Sequence, residues 1–408
     1  MELAMPISHP RMPGRVLLRA GFVLDAKTIG RLADLHARDV WIRYPGLDFV
    51  AEQISPEIVK AGQGLTKAIG EAFGEVLSSG SAPLDYGSYR RAVGDLMGRL
   101  VDNPKAATLV VELAGSQVPM SRSAGQGAFL ALILGLKLET YLLLSRTRLG
   151  MVARDVSNLG MGALLRDIGM LELAQGDRWR WRGACDETDP TWREHVKIGY
   201  ERVRGEIEPS AAAAVLHHHQ RFDGSGFPMR ITVSGAEEPL AGKDIHIFSR
   251  IIAAADLFDR MRYPASNSPN RPDPEPVPVV RVLHRLLRGP ASSWLDPIVA
   301  KALVQAVPPF PVGSMVRLSD GRFGAVVAWD ALQPCRPTVA VLPGRSFDPA
   351  NLEEPRERVD LRECRGLTVA EAEGQDVRGD VFESETGDEF DVYKAQSALI
   401  SMPVGKAG

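Results

Sequence analysis

At 408 residues the chain exceeds one ordinary domain and predicts two or three. Its 45% apolar and 24% charged residues are the balance of a soluble globular protein. A formal net charge of -3 removes the electrostatic case for a nucleic-acid polymer as partner, because phosphate binding needs clustered Lys and Arg.

The N-terminal run MELAMPISHPRMPGRVLLRAGF has no basic start followed by an apolar core, so no signal peptide is expected. Residues 14–43 predict a short apolar strand, a helix from about Asp25 to His36, and a β-branched, aromatic strand over Val40–Ile42. This compact α+β unit closes at the Pro-Gly turn of YPGLDFV. From Ser55 to Leu113 the pattern is helical, with a loop at Ser78–Pro83. The most apolar stretch, GAFLALILGLKLETYLLL (Gly127 to Leu144), is interrupted by Lys137 and Glu139 and predicts a buried helix rather than a membrane span.

DVSNLGMGALLRDIGMLELA predicts a helix with Leu159, Ala163, Leu164 and Ile168 on one stripe. REHVKIGYERVRGEI repeats that logic with Val196, Ile198 and Val203. KDIHIFSRIIAAADLFDRM predicts a long apolar helix with Asp256 and Asp259 near its end, Asp259 being the solvated one of the two. Six prolines between Tyr263 and Val280 predict a loop. Beyond it, GSMVRLSDGRFGAVVAWDALQPCRPTVAVL alternates apolar and polar residues around the hairpin signal Asp320-Gly321, which predicts a small antiparallel β domain. The acidic tail from Arg345 is expected to be the least ordered part.

The chain is thus expected to be mainly α. It divides into a small α+β unit (1–50), a helical connector (51–113), a helical domain (114–306), a small β domain (307–348) and a C-terminal tail (349–408). Cys185, Cys335 and Cys364 are odd in number, far apart and in no CxxC pattern, so a reducing cytoplasmic setting is expected and no disulfide framework.

Chemistry concentrates in the middle of the chain. HHHQRFDGSGFP, His217 to Pro228, sets three histidines ahead of a glycine-rich turn, and half of the eight histidines lie between His195 and His219. A two-metal hydrolytic site needs imidazoles and carboxylates converging from several helices, and Asp167 and Asp256 lie on apolar helices where a lone carboxylate is costly to bury. Each feature also has a plain structural reading. Successive helical residues point about 100° apart, so at least one histidine, His217, is a packing or surface residue. His195 alone reads as a satisfied core histidine, Asp167 as a salt-bridged helix residue, and Asp223 to Pro228 as a turn in which Asp223 caps its own backbone. His9, His36, His246 and His284 read as structural or surface residues.

Four blocks in order resemble the HD-GYP family of metal-dependent phosphodiesterases, which hydrolyse cyclic dinucleotides, mainly cyclic di-GMP. They are LLRDIGM (Leu164 to Met170), EHVKIG with His195 and Gly199, HHQRFDGSGFP (His218 to Pro228) and RIIAAADLFDR (Arg250 to Arg260). The resemblance implies an HD-type helical bundle as the core, flanked by the α+β unit and the β domain. It implies Asp167, His195, His218, His219 and Asp256 as metal ligands, with Asp167 also catalytic, and Asp223, Gly224, Gly226, Phe227 and Pro228 as a substrate loop. It further implies a divalent metal (iron or manganese), cyclic di-GMP or a related cyclic dinucleotide as ligand, and protein signalling partners; no membrane contact is expected, because the most apolar stretch falls short of a span. A homodimer is compatible with it.

The departures from the family pattern fall at the same places. Arg166 replaces the His of the family's His-Asp pair, Met170 the Lys that follows, Gln220 the Glu of the signature and Phe227 its Tyr. Ser123 aligns with a further metal-binding His or Glu one helix earlier. Arginine cannot shed its proton and cannot become a ligand. Its charge, about 4–5 Å from a divalent ion at an effective dielectric of about 20, opposes that ion by roughly 7 kcal/mol. Arg166 is therefore expected to occupy the metal cavity and pair with Asp167 or Asp256 in place of an ion, leaving one metal site or none. Three readings stay open: a degenerate member that binds or scaffolds with activity lost or reduced, an active phosphodiesterase using metal-activated water, and a structural role with the outer domains carrying function.

Overall fold

Acidic caps followed by proline or small residues decide where many helices begin. Asp85 accepts from Ser88 N at 2.8 Å to start Tyr86–Asp102. Glu208 caps Pro209–His217 and Asp296 caps Pro297–Ala306, each with proline in the first turn, where its missing N–H is no loss. The computed structural model describes residues 1–8, 16–35, 40–79, 84–103, 119–145, 155–173, 187–264, 274–344, 346–349, 352–384 and 388–401.

At the N-terminus, β1 (Ile7–Ser8) pairs antiparallel with β2 (Val16–Leu18), and the Ala26–Asp34 helix, capped by Asp25, packs its Leu32 with Leu3 and Leu24. The strand expected over Val40–Ile42 is reduced to one isolated bridge, Leu3 with Ile42. His9 and His36 lie outside the described residues.

The helical bundle is built around Pro119–Lys137, which packs against Pro56–Ser79, Ser157–Leu165 and Ile247–Arg262. Several expectations are corrected here. Ser78 and Ser79 belong to the Pro56–Ser79 helix rather than to a loop. The apolar stretch 127–144 is two helices, Pro119–Lys137 and Glu139–Ser145, bent by 82° at Leu138. No single helix among the described residues is long and apolar enough to cross a membrane. The Ser157–Leu165 helix stops before Arg166, and a short 3-10 turn, Ile168–Leu171, follows Asp167. Every residue from Leu159 to Leu165 is buried, so this helix lies inside the core instead of presenting one apolar stripe. Asp259 is not solvated: it is 2% exposed and accepts from Arg122 NH1 at 3.0 Å. The proline-rich connection ends at Pro278, where Val279–Arg288 begins.

A small hairpin, β3 (Arg230–Ile231) with β4 (Glu237–Glu238), follows the glycine-rich turn. The C-terminal sheet is antiparallel and has the order β10-β9-β5-β6-β7-β8. Its strands are β5 (Met315–Leu318), β6 (Phe323–Ala328), β7 (Thr338–Val341), β8 (Glu357–Asp360), β9 (Val369–Ala372) and β10 (Gln375–Asp376). Gly321, at φ 90°, makes the expected β5–β6 turn. Three of these strands lie beyond residue 348, so the segment expected to be loose completes the sheet. The Val392–Ser401 helix then returns to the bundle. Gln396 Oε1 accepts from Tyr141 N at 2.9 Å and its Nε2 donates to Lys137 O at 3.2 Å. One apolar core runs from the bundle into the sheet. Cys335 is buried and Cys364 exposed, both free; Cys185 lies outside the described residues.

Candidate metal centre

The break after Leu165 sends two adjacent side chains in different directions. Asp167 faces the histidines, while Arg166 turns inward toward the Pro119–Lys137 helix. His195 opens the His195–Val203 helix, which lies close against the 3-10 turn: a Cβ on Gly169 would come within 2.9 Å of the His195 carbonyl carbon, so no larger residue fits there. His218 ends the Pro209–His217 helix and His219 follows it.

Ligand-type atoms of Asp167, His195, His218 and His219 all lie within 4.8 Å of one another. Nε2 of His195 and of His218 face Asp167 Oδ1 at 3.7 and 3.5 Å. The Nδ1 atoms of the same rings meet backbone carbonyls, Trp192 O at 2.5 Å and Val215 O at 2.8 Å. A carbonyl only accepts, so each Nδ1 carries a proton and each Nε2 is the ring atom left toward the centre. Those two Nε2 atoms, and both ring nitrogens of His219, are buried without a hydrogen-bond partner. Such orphaned acceptors fit a divalent cation. Burial, with His218 nearby, pushes His195 down to about 4, and burial likewise holds His219 well below the usual range, so both are neutral and ligand-competent near pH 7. Burial acts to raise Asp167, but Arg166 and then His218 outweigh it and hold the carboxyl well below the usual range.

Arg166 is 1% exposed and fully engaged. Its Nε donates to Asp256 Oδ1 at 3.0 Å and lies 3.2 Å from Asp167 Oδ2. Nη1 donates to Ala163 O at 3.0 Å and Ser123 O at 3.2 Å; Nη2 donates to Ser123 O at 3.2 Å and Ser123 Oγ at 2.7 Å. A Cβ on Gly127 would lie 2.9 Å from Arg166 Cζ, so the space for the guanidinium exists because residue 127 has no side chain. Asp256 is outside the donor cluster. Besides Arg166 it pairs with Arg260 Nε at 2.7 Å, and its Oδ2 stays 4.0 Å from His219 Nδ1.

The glycine-rich turn is held by its own polar groups. Asp223 Oδ1 accepts from Ser225 N and Oγ, and its Oδ2 from Ser293 Oγ. Gly224 adopts φ 83°, and Gly226 is packed against the His219 and Arg221 backbone. Gln220 Nε2 donates to Pro228 O at 2.5 Å. Phe227 stacks on His219 with ring centroids 4.8 Å apart, and Met170 packs with Trp192, Val196 and Phe227. His217 is half-buried and outside the cluster, and His246 caps its helix through Phe248 N at 3.2 Å.

Sequence reasoning did not find Trp192, whose ring lies 4.6 Å from His195 and 4.9 Å from His219, nor Glu187 and Arg260, which line a small cavity with His218 and His219. For Arg260 a signal exists, the i,i+4 spacing from Asp256.

The HD-domain family matches residues 147–273, the segment that carries the cluster. The chain is 26% identical over 347 residues to a cyclic di-GMP phosphodiesterase, PA4108, of Pseudomonas aeruginosa, covering 79% of this chain and 78% of that one. It is 30% identical over 118 residues to the cyclic di-GMP phosphodiesterase response regulator RpfG of Xanthomonas campestris, covering 28% of this chain and 29% of that one. Among solved structures, Bd1817, an HD-GYP-type protein from Bdellovibrio bacteriovorus, aligns with a TM-score of 0.45 at 15% identity, over 74% of this chain and 97% of its own. The HD-domain match spans all four motif blocks and the Pseudomonas relative aligns along most of both chains, so the chain is similar to HD-domain cyclic di-GMP phosphodiesterases through the segment that carries the cluster.

Proposed function

We propose that this chain is a degenerate HD-GYP protein of cyclic di-GMP signalling. It binds cyclic di-GMP or a related cyclic dinucleotide, or docks signalling proteins, with phosphodiesterase activity lost or reduced. Relatives named as cyclic di-GMP phosphodiesterases support the ligand class. The observation that carries the loss of activity is the buried Arg166 guanidinium between Asp256, Asp167 and Ser123. A fixed cation there takes up Asp256 and opposes a divalent ion by roughly 7 kcal/mol at about 4–5 Å and an effective dielectric of about 20.

The second reading is an active phosphodiesterase with a single metal, favoured by the donor cluster itself. His195 Nε2, His218 Nε2, His219 and Asp167 are the residues that would hold the ion. A bound divalent ion supplies a water nucleophile at neutral pH and charge stabilisation at phosphoryl oxygens. The chain's own residues fix the imidazole tautomers through Trp192 O and Val215 O and shield the centre with Trp192 and Phe227. A cytoplasmic setting belongs to either reading.

Metal content of the purified protein, together with cyclic di-GMP binding and turnover in added manganese or iron, separates the two. The expected outcome is nucleotide binding without appreciable turnover. Stoichiometric metal with turnover that Asp167→Ala abolishes would overturn it. Arg166→His combined with Ser123→His is expected to raise metal binding.

A further inference from the structure

Glu187 lies outside the four motif blocks and outside the donor cluster, yet its carboxylate is clamped beside the histidines. Oε2 accepts from Arg221 Nη2 at 2.5 Å and Oε1 from Arg260 Nη1 at 3.0 Å, while its backbone carbonyl accepts from Arg193 Nε at 2.5 Å. Both clamping arginines are themselves fixed. The Arg221 guanidinium stacks 3.5 Å from the Trp294 ring centroid, and Arg260 Nε pairs with Asp256 at 2.7 Å. The side chains of Arg221, Glu187 and Arg260 are 22%, 23% and 25% exposed, so solvent reaches the clamp. The cavity bordered by Glu187, His218, His219, Arg221, Arg260 and Trp294 has a volume of about 20 Å³, enough for a water beside the clamped carboxylate.

Two guanidinium groups converging on the two oxygens of one anion suit a phosphoryl group as well as a carboxylate. We propose that Arg221 and Arg260 are an anion-recognition pair for a phosphodiester or phosphate group, and that Glu187 occupies the pair as an intramolecular competitor. The identity of the ligand as a cyclic dinucleotide rests on the function proposed above; the affinity of the pair for phosphoryl oxygens does not. At the arginine pair a phosphodiester would place one negative charge where the Glu187 carboxylate now places one, while the displaced carboxylate turns to solvent. Asp256 keeps Arg260 directed at the cavity whichever anion is bound, and Trp294 does the same for Arg221.

The test is calorimetric titration of the EDTA-treated full chain, first with inorganic pyrophosphate and separately with cyclic di-GMP. Glu187→Gln is expected to bind pyrophosphate at least tenfold more tightly than the parent, and adding Arg221→Gln is expected to remove that gain. Equal pyrophosphate affinity in parent and Glu187→Gln overturns the proposal, as does a gain that survives Arg221→Gln. Tightened pyrophosphate binding with no cyclic di-GMP binding keeps the arginine pair and removes the dinucleotide reading. Cyclic di-GMP binding with both cyclic di-GMP and pyrophosphate affinities unchanged in Glu187→Gln removes the arginine pair and keeps the dinucleotide reading. Should Glu187→Gln fail to fold, Arg221→Gln in the otherwise unchanged protein decides: it must weaken pyrophosphate binding at least tenfold, and unchanged binding overturns the proposal.

Discussion

Arg166→Ala removes a guanidinium whose five hydrogen bonds match its five N–H groups. Two carboxylates lose a cation: Asp256, 2% exposed, keeps Arg260, while Asp167 is left with only His195 and His218 beside it. Breaking one side of a buried ion pair costs about 3–5 kcal/mol, so the metal-free variant should unfold at markedly lower urea. The same substitution removes the charge that opposes a divalent ion by roughly 7 kcal/mol at about 4–5 Å and an effective dielectric of about 20. Manganese should therefore bind Arg166→Ala at least a hundredfold more tightly than the parent, about 2.7 kcal/mol. At saturating manganese most of the lost stability should return, because an ion that binds only the folded state stabilises it by mass action. Urea midpoints and calorimetric manganese titrations, in EDTA and in manganese, provide the assay. Equal manganese affinities for parent and variant would refute the reasoning, because Arg166 would then not compete with an ion.

Gly127→Ala places a methyl 2.9 Å from Arg166 Cζ and is expected to cost about 1–3 kcal/mol through overpacking. In an Arg166→Ala background that cost should largely vanish, and a fully additive double mutant would show that the two residues do not share the space. Burial pushes His195 and His217 both down to about 4, whereas unfolded histidine titrates near 6.5. Between those values the unfolded chain binds more protons, so stability is intact above about pH 6.5 and falls as the pH drops toward 4. The fall is roughly 3 kcal/mol for each histidine, and urea midpoints of the EDTA-treated protein that match at about pH 7.5 and pH 5 would contradict it.

The resemblance was legible because four motif blocks stand in order in the sequence, and the helical core follows from apolar runs that local periodicity reports. Arg166 could be read as a misplaced charge, and an acidic partner for it was foreseeable. What escaped depends on distance along the chain. Asp259 looked solvated because Arg122, its partner, lies 137 residues away. The Arg221–Glu187–Arg260 clamp joins residues 34 and 73 positions apart, with no periodicity to announce it. Gly127 gave no signal either, since a glycine in an apolar helix has many uses and only the neighbouring guanidinium tells which applies. The late strands β8 to β10 are only two to four residues long, and pairing with β5, β7 and each other makes them strands.

Gln396 sits near the end of the chain, yet its single amide caps the last carbonyl of one helix and an early N–H of the next at the 82° bend. Leu138 keeps its own backbone hydrogen bonds at the bend, to Leu134 O and from Leu142 N, and Gln396 satisfies two further groups beside it. A fragment cut to residues 147–273, the HD match, would discard both the bend and its cap, along with the Pro119–Lys137 helix whose Ser123 holds Arg166. The evolutionary module and the smallest piece able to stand alone are thus different lengths of chain, and the centre belongs to the longer one.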